Sequence, residues 1–293
     1  MDLVRYLADK VDIINDALAE RLVKEGEFPE SLHKAMHYSL FAGGKRLRPV
    51  LALAACEAVG GGFEAALDAA CALECIHTYS LIHDDLPALD NDSLRRGRPT
   101  SHIVFGEAVA IMAGDALLTV AFDIMGRAQG ADAARVLKAL SEIASAAGST
   151  GMIGGQVVDI ESEGHSVDFP ILEYIHIHKT GKLILASVRS GAIMAGANDA
   201  QLACMTRFGE AAGLAFQIAD DILDVEGSSE DLGKATGGDA KKGKATYPAL
   251  IGIVESRRRA AELVERAVEA LDGFGERAEP LRAIARYVVS RKK

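Results

Sequence analysis

The segment CALECIHTYSLIHDDLPALDND (residues 71–92) joins a long apolar run directly to a group of aspartates, and this junction decides the fold. The segment AAGLAFQIADDILD (residues 211–224) repeats the arrangement later in the chain. Apolar runs of this length are typical of buried helices. Carboxylates at the end of such a helix are unfavourable unless a cation meets them. The two segments therefore predict two helices that each carry carboxylates to a positively charged partner.

Both clusters consist of hard oxygen ligands, the type that suits Mg²⁺, which keeps several waters and bridges to substrate phosphates. The candidate metal ligands are Asp84, Asp85 and Asp90 in the first cluster and Asp220, Asp221 and Asp224 in the second. For one cluster alone, a solvated helix end is an equally good interpretation. Two clusters, accompanied by several cations elsewhere in the chain, favour a magnesium site that binds phosphates.

The spacing within the second cluster supports a metal. Gln217, Asp220, Asp221 and Asp224 stand at positions i, i+3, i+4 and i+7, which form one stripe of a helix. Three carboxylates on one stripe repel each other unless a counter-ion is present, and a divalent metal is the simplest counter-ion.

The first cluster contains a turn. Pro87 ends the helix after Asp85, so Asp90 has to return toward Asp84 through a change of chain direction. Asp84 and Asp90 are then able to hold one or two ions from the same side.

The composition predicts an all-α protein. Of 293 residues, 49% are hydrophobic and only 5% aromatic, Trp is absent, and there are 7 prolines. Such a chain can bury a sizeable core, and no break in composition suggests a linker, so we expect a single domain over residues 1–293. The formal net charge of -10 argues against general nucleic-acid binding.

Helix-like periodicity, interrupted by glycine clusters, recurs along most of the chain. The predicted helices span residues 31–42, 46–59, 63–86, 107–128, 132–147, 151–162, 170–195, 200–225, 245–271 and 279–290.

We expect a cytoplasmic protein. The N-terminal residues MDLVRYLADKVD are charged and amphipathic, unlike a signal peptide. No apolar stretch of about 18 or more residues lacks a charge, so no membrane span is expected. The four cysteines lie in apolar helical contexts with no partners at zinc-binding spacing, and we interpret them as reduced core residues.

Several cationic side chains are candidates to bind an anionic substrate beside the carboxylates. The motif GGKRLRP (residues 43–49) places Lys45, Arg46 and Arg48 at a junction between glycines and a helix. The free N–H groups at the start of a helix favour an anion. The alternative is that this cationic helix start is solvated surface, which is the more frequent case. The other candidates are Arg95, Arg96, Lys179, Lys234 and Lys244. The last two lie in a glycine-rich segment, residues 226–246, which has the composition of a surface loop. The lysines within this segment favour a mobile lid over a charged site, which is compatible with a surface loop.

The motifs resemble those of the short-chain trans-polyprenyl diphosphate synthases, most closely the bacterial farnesyl diphosphate synthases. The matching pieces, in the order of that family, are GGKRLRP, ECIHTYSLIHDDLPALDNDSLRRGRPT, FGEAVAIMAGDALL, GGQVVD, HKTGKLI, GLAFQIADDILDVEG and GKATYPAL. The resemblance covers nearly the whole chain. It implies an all-α isoprenoid synthase bundle around a deep central cavity, a homodimer, three Mg²⁺, and the substrates isopentenyl diphosphate and an allylic diphosphate.

The resemblance also implies a role for each site residue. Asp84 and Asp90 would ligate two Mg²⁺ with support from Asp85, and Asp220 would ligate the third, with Asp221 and Asp224 nearby. The implied allylic diphosphate ligands are Arg95, Lys179, Lys234 and Lys244, and those of isopentenyl diphosphate are Lys45, Arg48, His77 and Arg96. Thr180 and Gln217 would line the path of the developing carbocation. Without the family, His77 reads as an ordinary core histidine, as do His83, His176 and His178.

Product length is expected to depend on Tyr79. It lies five residues before Asp84 on the same helix, roughly 7–8 Å along the axis. In the family an aromatic residue here resembles the farnesyl pattern and a smaller one the geranylgeranyl pattern, while the adjacent Ser80 is too small to stop a chain alone. The alternative is that Tyr79 packs in the core and another helix sets the limit.

Three other functions compete with a farnesyl diphosphate synthase. The nearest is a geranylgeranyl diphosphate synthase. A class I terpene cyclase also uses an aspartate-rich motif, but DDILD, the second set of cations and the scarcity of aromatics argue against it. An inactive regulatory subunit would be expected to lack one aspartate cluster, and both are intact.

Overall fold

The computed structural model describes residues 1–226 and 245–290. The prediction of an all-α bundle is confirmed, and the strands in the described ranges are the two-residue pair β1 (Leu94–Arg95) and β2 (Arg98–Pro99), joined as an antiparallel hairpin. The first eight helices are α1 (Leu3–Arg21), α2 (Glu30–Leu40), α3 (Leu47–Val59), α4 (Leu67–Asp84), α5 (Ser101–Phe105), α6 (Glu107–Gly126), α7 (Ala133–Ala147) and α8 (Met152–Ser162). The other α-helices of the described ranges are α9 (Phe169–Ile175), α10 (Lys182–Met194), α11 (Asp199–Glu226), α12 (Tyr247–Ile251), α13 (Ile253–Glu269) and α14 (Glu279–Ser290).

The core lies around three helices that are apolar on nearly every face. Most residues of α3, α4 and α10 are buried, and α6, α7 and α11 pack around them. A helix that is hydrophobic all round belongs inside a bundle. The two helices that end in carboxylates, α4 and α11, are thus fixed by the core along most of their length.

Helix α1 was not among the predicted helices. Its N-cap is Asp2, whose side chain accepts a hydrogen bond from the Arg5 N–H. Its buried residues include Lys10, whose ammonium binds Glu57 of α3 and lies 4.3 Å from the centre of the Phe63 ring. A lysine in the buried stripe hides the helical pattern in the sequence, because its burial depends on a partner elsewhere in the chain.

Three predicted helices are interrupted in the structure. The range 63–86 begins with a 3₁₀ turn, Phe63–Ala66, before α4. The range 170–195 contains a π-helical segment, His176–Gly181, between α9 and α10. The range 245–271 is broken at Gly252, which adopts a φ of 79° between α12 and α13. A further 3₁₀ helix, Asp272–Ala278, precedes α14.

Part of the apolar surface of helix α6 faces outward. Ile111 is 38% exposed and Met112 55% exposed. Among the described residues it is the helix long and apolar enough to cross a membrane, by length and composition alone. A core helix of a soluble protein passes the same test, so this is weak evidence for a span.

Candidate active site

The first carboxylate cluster forms at the C-terminal end of α4, where the chain turns back as its sequence predicts. The Asp90 N–H donates to the Asp84 carbonyl at 2.9 Å, and Asn91 adopts a left-handed conformation with a φ of 51°. The turn brings Asp90 back beside Asp84, and both residues are partly exposed. Two carboxylates therefore lie at one edge of the bundle.

Asp85 points away from this edge and is buried against the hairpin. Arg95 Nε donates to both carboxylate oxygens at 2.8 Å, and Arg95 Nη2 donates to Oδ1 at 2.6 Å. Burial alone would lower the pKa of Arg95, but the hydrogen bonds and charge of Asp85 outweigh it and raise that pKa. Asp85 and Arg95 thus bind each other here, which leaves a metal role for Asp85 and a phosphate role for Arg95 as predictions.

The second cluster lies on the last turns of α11. Asp220 and Asp224 are partly exposed, whereas Asp221 is only 3% exposed. Asp221 Oδ2 accepts hydrogen bonds from His176 Nε2 at 2.8 Å and from the Tyr247 N–H at 2.9 Å. Its Oδ1 accepts one from Gln217 Nε2 at 3.2 Å. The stripe predicted from the spacing exists, but its members divide into two exposed carboxylates and one buried one.

Lys179 and Thr180 meet the second cluster from the π-helical segment. Thr180 Oγ1 donates to Gln217 Oε1 at 2.8 Å, and Lys179 Nζ donates to Asp159 Oδ2 at 2.6 Å. These side chains and Asp221 line a cavity of about 100 Å³. Asp159 was not predicted as a site residue, although its motif GGQVVD was recognised. Only the folded chain places it beside Lys179.

A group of cations lies where α3 faces α4. Arg48 Nη1 lies 3.2 Å from His77 Nε2. Burial, followed by the charges of Arg48, Arg96 and Arg95, holds the pKa of His77 well below 6.5, so its ring is neutral at pH 7. A neutral ring accepts the Arg48 hydrogen bond at Nε2 and carries its proton on Nδ1.

Arg48 also connects the two halves of the site. Burial lowers the pKa of Arg48, and the positive charge of Arg96 lowers it further. The negative charges of Glu74 and Asp220 act in the opposite direction but do not cancel the decrease. The guanidinium therefore lies within electrostatic reach of the second carboxylate cluster. Arg48 Nε is buried and has no hydrogen-bond partner among the described residues. A half-buried cation whose buried Nε has no partner among the described residues favours an anionic ligand.

The loop before α3 positions the other cations. Arg96 has a φ of 54° and donates to the Gly43 carbonyl, and a Cβ on Gly44 would lie 2.5 Å from its guanidinium carbon. Lys45 is exposed and its ammonium lies 5.9 Å from the centre of the Tyr287 ring. Arg46 turns inward and forms a buried ion pair with Glu74, so one cation of the GGKRLRP motif is structural.

Tyr79 is buried beneath the first cluster. Tyr79 is only 6% exposed. The centre of its ring lies 5.7 Å from the centre of the His83 ring in an edge-on contact. Its hydroxyl has no hydrogen-bond partner among the described residues. Burial and the charge of Asp84 raise the pKa of Tyr79 to about 12. Ser80 is partly exposed and its hydroxyl donates to the His77 carbonyl at 2.9 Å.

The donor set fits a magnesium ion that is shared with a substrate. Within residues 1–226 and 245–290, no group of three or more His, Cys, Asp or Glu side chains is arranged to hold a metal alone. The exposed carboxylates Asp84, Asp90, Asp220 and Asp224 offer oxygen ligands only. Mg²⁺ is typically bound by one or two carboxylates together with water and phosphate oxygens.

Two predicted substrate ligands, Lys234 and Lys244, lie outside the described residues, as does most of the predicted lid. The basic C-terminal residues 291–293 also lie outside them.

Comparison with known proteins gives one consistent result. The model of the family described as polyprenyl synthetase matches residues 29–279. A dimethylallyltranstransferase from Fischerella ambigua (strain UTEX 1903) is 51% identical over 292 residues, which cover 99% of this chain and 84% of the relative. A geranylgeranyl diphosphate synthase from Cyanophora paradoxa is 47% identical over 292 residues, covering 99% and 97%. The crystal structure of an FPP/GFPP synthase from Zymomonas mobilis superimposes with a TM-score of 0.90 at 39% identity, covering 98% of this chain and 99% of that one. The two carboxylate clusters and the facing cations are therefore those of a protein that belongs to the polyprenyl synthetase family.

Proposed function

We propose that this protein is a farnesyl diphosphate synthase that condenses isopentenyl diphosphate head-to-tail with dimethylallyl and then geranyl diphosphate. Membership of the family makes the chain a short-chain prenyltransferase with substrates of these two types. The choice of a fifteen-carbon product rests on one observation, the burial of the Tyr79 ring on α4 below Asp84.

The reaction needs stabilisation of a leaving group rather than a protein nucleophile. The bond between C1 and oxygen of the allylic diphosphate breaks, and its electron pair leaves with pyrophosphate. The double bond of isopentenyl diphosphate then forms the new carbon–carbon bond at C1, and one proton is lost to the departing pyrophosphate. Fixed charges that act on the leaving oxygen in a dry site lower such a barrier.

Members of this family use divalent metal, which we propose is Mg²⁺, three ions per site, held by Asp84, Asp90 and Asp220. When bound, the metal supplies Lewis-acid stabilisation of the charge that develops on the leaving diphosphate. Asp224 lies on the same stripe and is available as a supporting ligand.

The protein side chains divide into two diphosphate sites. We propose that Arg48, His77 and Arg96, with Lys45 at the rim, bind isopentenyl diphosphate, since neutral His77 contacts Arg48, whose Nε has no hydrogen-bond partner among the described residues. Lys179 binds the allylic diphosphate by exchanging its Asp159 partner for a phosphate oxygen. Thr180 and Gln217 direct oxygen dipoles toward the developing carbocation.

The apolar face of α6 supports a homodimer. Ile111 and Met112 are exposed on this helix, and Ile103 and Val104 are exposed on α5, which packs against α6. Contiguous exposed apolar surface commonly marks an interface. We also propose a cytoplasmic location, because the four cysteines are free thiols, as in proteins of reducing compartments.

A geranylgeranyl product is the second candidate. Most of the similar curated proteins, including those from Cyanophora paradoxa and Capsicum annuum, are named geranylgeranyl synthases. In favour of the shorter product we propose that the buried Tyr79 ring blocks the space that a fourth isoprene unit would need.

The test is an incubation of the purified protein with Mg²⁺, isopentenyl diphosphate and, in separate reactions, dimethylallyl, geranyl or farnesyl diphosphate. We expect products of fifteen carbons from the first two starters and little elongation of farnesyl diphosphate. A twenty-carbon main product would replace the farnesyl assignment with the geranylgeranyl one. Absence of any prenyl product would contradict both.

A further inference from the structure

The π-helical segment that carries Lys179 and Thr180 is held between two helices by direct backbone packing. A Cβ on Gly155 of α8 would lie 2.2 Å from the Lys179 nitrogen. On the opposite side, a Cβ on Gly213 of α11 would lie 3.1 Å from the Gly181 Cα. A side chain at Gly155 would clash with the backbone of the segment, whereas the contact at Gly213 is tight but can be relieved by a small shift, so the segment is closely packed on α8 and α11.

One buried hydrogen bond joins the first residue of the segment to α11. His176 Nε2 lies 2.8 Å from Asp221 Oδ2, and the two residues are 5% and 3% exposed. An ionised carboxylate only accepts hydrogen bonds, so His176 carries its proton on Nε2. Nothing in the proposed chemistry uses His176.

Asp221 also binds two further parts of the chain. Its Oδ2 accepts the Tyr247 N–H of α12, and its Oδ1 accepts Gln217 Nε2. Both acceptor positions of Oδ2 are therefore filled by protein donors, whereas the neighbouring Asp220 is partly exposed. The Tyr247 ring packs on the His176 ring at 5.3 Å and completes the enclosure.

We propose that His176 and Asp221 form a clamp that fixes the winding of the π-helical segment, and that Asp221 is a positioning residue rather than a metal ligand. The clamp holds the backbone that carries Lys179 toward Asp159 and Thr180 toward Gln217. This inference rests on the proposed function for its catalytic consequence. The clamp itself is a property of the metal-free protein and is tested independently.

The first measurement is hydrogen exchange at the amides of residues 176–181 in metal-free protein, for wild type, His176→Phe and His178→Phe. His178 lies in the same segment but binds only the Tyr174 carbonyl and stacks on the Tyr174 ring, so it is the matched control. We expect exchange to accelerate by about tenfold or more in His176→Phe, because loss of the buried hydrogen bond to Asp221 lowers the free energy of local opening. His178→Phe should resemble wild type, and equal exchange in all three proteins would overturn the clamp.

The second measurement is the Mg²⁺ concentration for half-maximal turnover in Asp221→Asn and Asp220→Asn. An asparagine at 221 retains an oxygen for His176 and Tyr247, so we expect a Mg²⁺ requirement within about twofold of wild type and a reduced kcat. Asp220→Asn should raise the requirement by about tenfold or more, as loss of a metal ligand does. Equal increases in both variants would show that Asp221 is a ligand.

Two controls keep the outcomes separate. If His176→Phe does not fold, His176→Gln, which retains an N–H donor, is examined by the same exchange experiment. His176→Leu, which has no donor, is the comparison: faster exchange in His176→Leu than in His176→Gln supports the clamp, and equal exchange in the two folded variants contradicts it. If the wild type makes no prenyl product, the proposed function fails, but the exchange experiment still decides whether the clamp exists.

Discussion

Arg48 Nη1 lies 3.2 Å from His77 Nε2, and this contact joins a cation of α3 to a neutral imidazole of α4. Two positive groups would repel each other at this distance, so the contact requires the neutral ring. The pair gives the pocket a donor arrangement suited to a diphosphate without a second full charge at that position.

The neutral state of His77 predicts a specific loss of stability in acid. Burial and the nearby arginines place its pKa in the folded protein well below the 6.5 of an exposed histidine. The unfolded chain therefore takes up a proton that the folded protein does not bind, and stability falls as the pH drops below about 6.5.

Urea unfolding of wild type and His77→Gln at about pH 7.5 and about pH 5.5 measures this effect, because the glutamine has no titrating group. We expect the wild type to lose more stability between the two values than the variant loses. Equal losses would contradict a depressed pKa at His77.

The two diphosphate sites are expected to separate kinetically. Arg48→Ala should raise the KM for isopentenyl diphosphate by about tenfold or more, because it removes a contact that positions the substrate. Lys179→Ala should instead lower kcat, by about a hundredfold, since its charge acts on the leaving group as charge develops.

Steady-state kinetics with each substrate varied in turn distinguishes the two cases, with Lys138→Ala on the exposed face of α7 as the control. If both site variants altered the same parameter for the same substrate, the assignment of the two sites would be wrong.

Tyr79→Ala is expected to lengthen the product to twenty carbons or more. The substitution removes a buried ring and leaves an apolar cavity that a longer tail can enter, at a cost to folding of about 3 kcal/mol. Tyr79→Phe is the matched control, because the hydroxyl has no hydrogen-bond partner among the described residues. It should retain the wild-type product. An active Tyr79→Ala variant that still stops at fifteen carbons would show that another residue limits the chain.

The buried pair of Arg46 and Glu74 is expected to matter for stability. Both side chains are 2% exposed, and Arg46 also donates to Asn15 and to the Leu40 carbonyl. Arg46→Ala leaves the Glu74 carboxylate buried and unpaired, which should lower the free energy of unfolding by about 3–5 kcal/mol. Lys34→Ala breaks the exposed pair with Glu30 and should change little. A small effect of Arg46→Ala in chemical denaturation would contradict the structural role.

Much of this site is readable from the sequence because its signals are local. The Pro87 turn and the stripe from Gln217 to Asp224 depend on residues within a few positions of each other, and the structure contains both. The resemblance to a known family added His77, which periodicity alone would have assigned to the core.

The features that the sequence did not predict depend on distant partners. The π-helical segment packs closely against Gly155 and Gly213 on two other helices, and nothing within residues 176–181 indicates the π-helical winding. Asp159 meets Lys179 only because α8 packs against that segment. The hydrophobic periodicity of helix α1 is interrupted by Lys10, which is buried because it pairs with Glu57.

We propose that the carboxylate clusters of α4 and α11 act as one catalytic site. The most direct test is turnover of Asp84→Ala, Asp220→Ala and the double variant under saturating Mg²⁺ and both substrates. We expect each single variant to lose about a thousandfold in kcat, and the double variant to lose little more, because groups that act as a unit are not additive. Wild-type turnover in either single variant, or losses that multiply in the double variant, would contradict a single site built from both clusters.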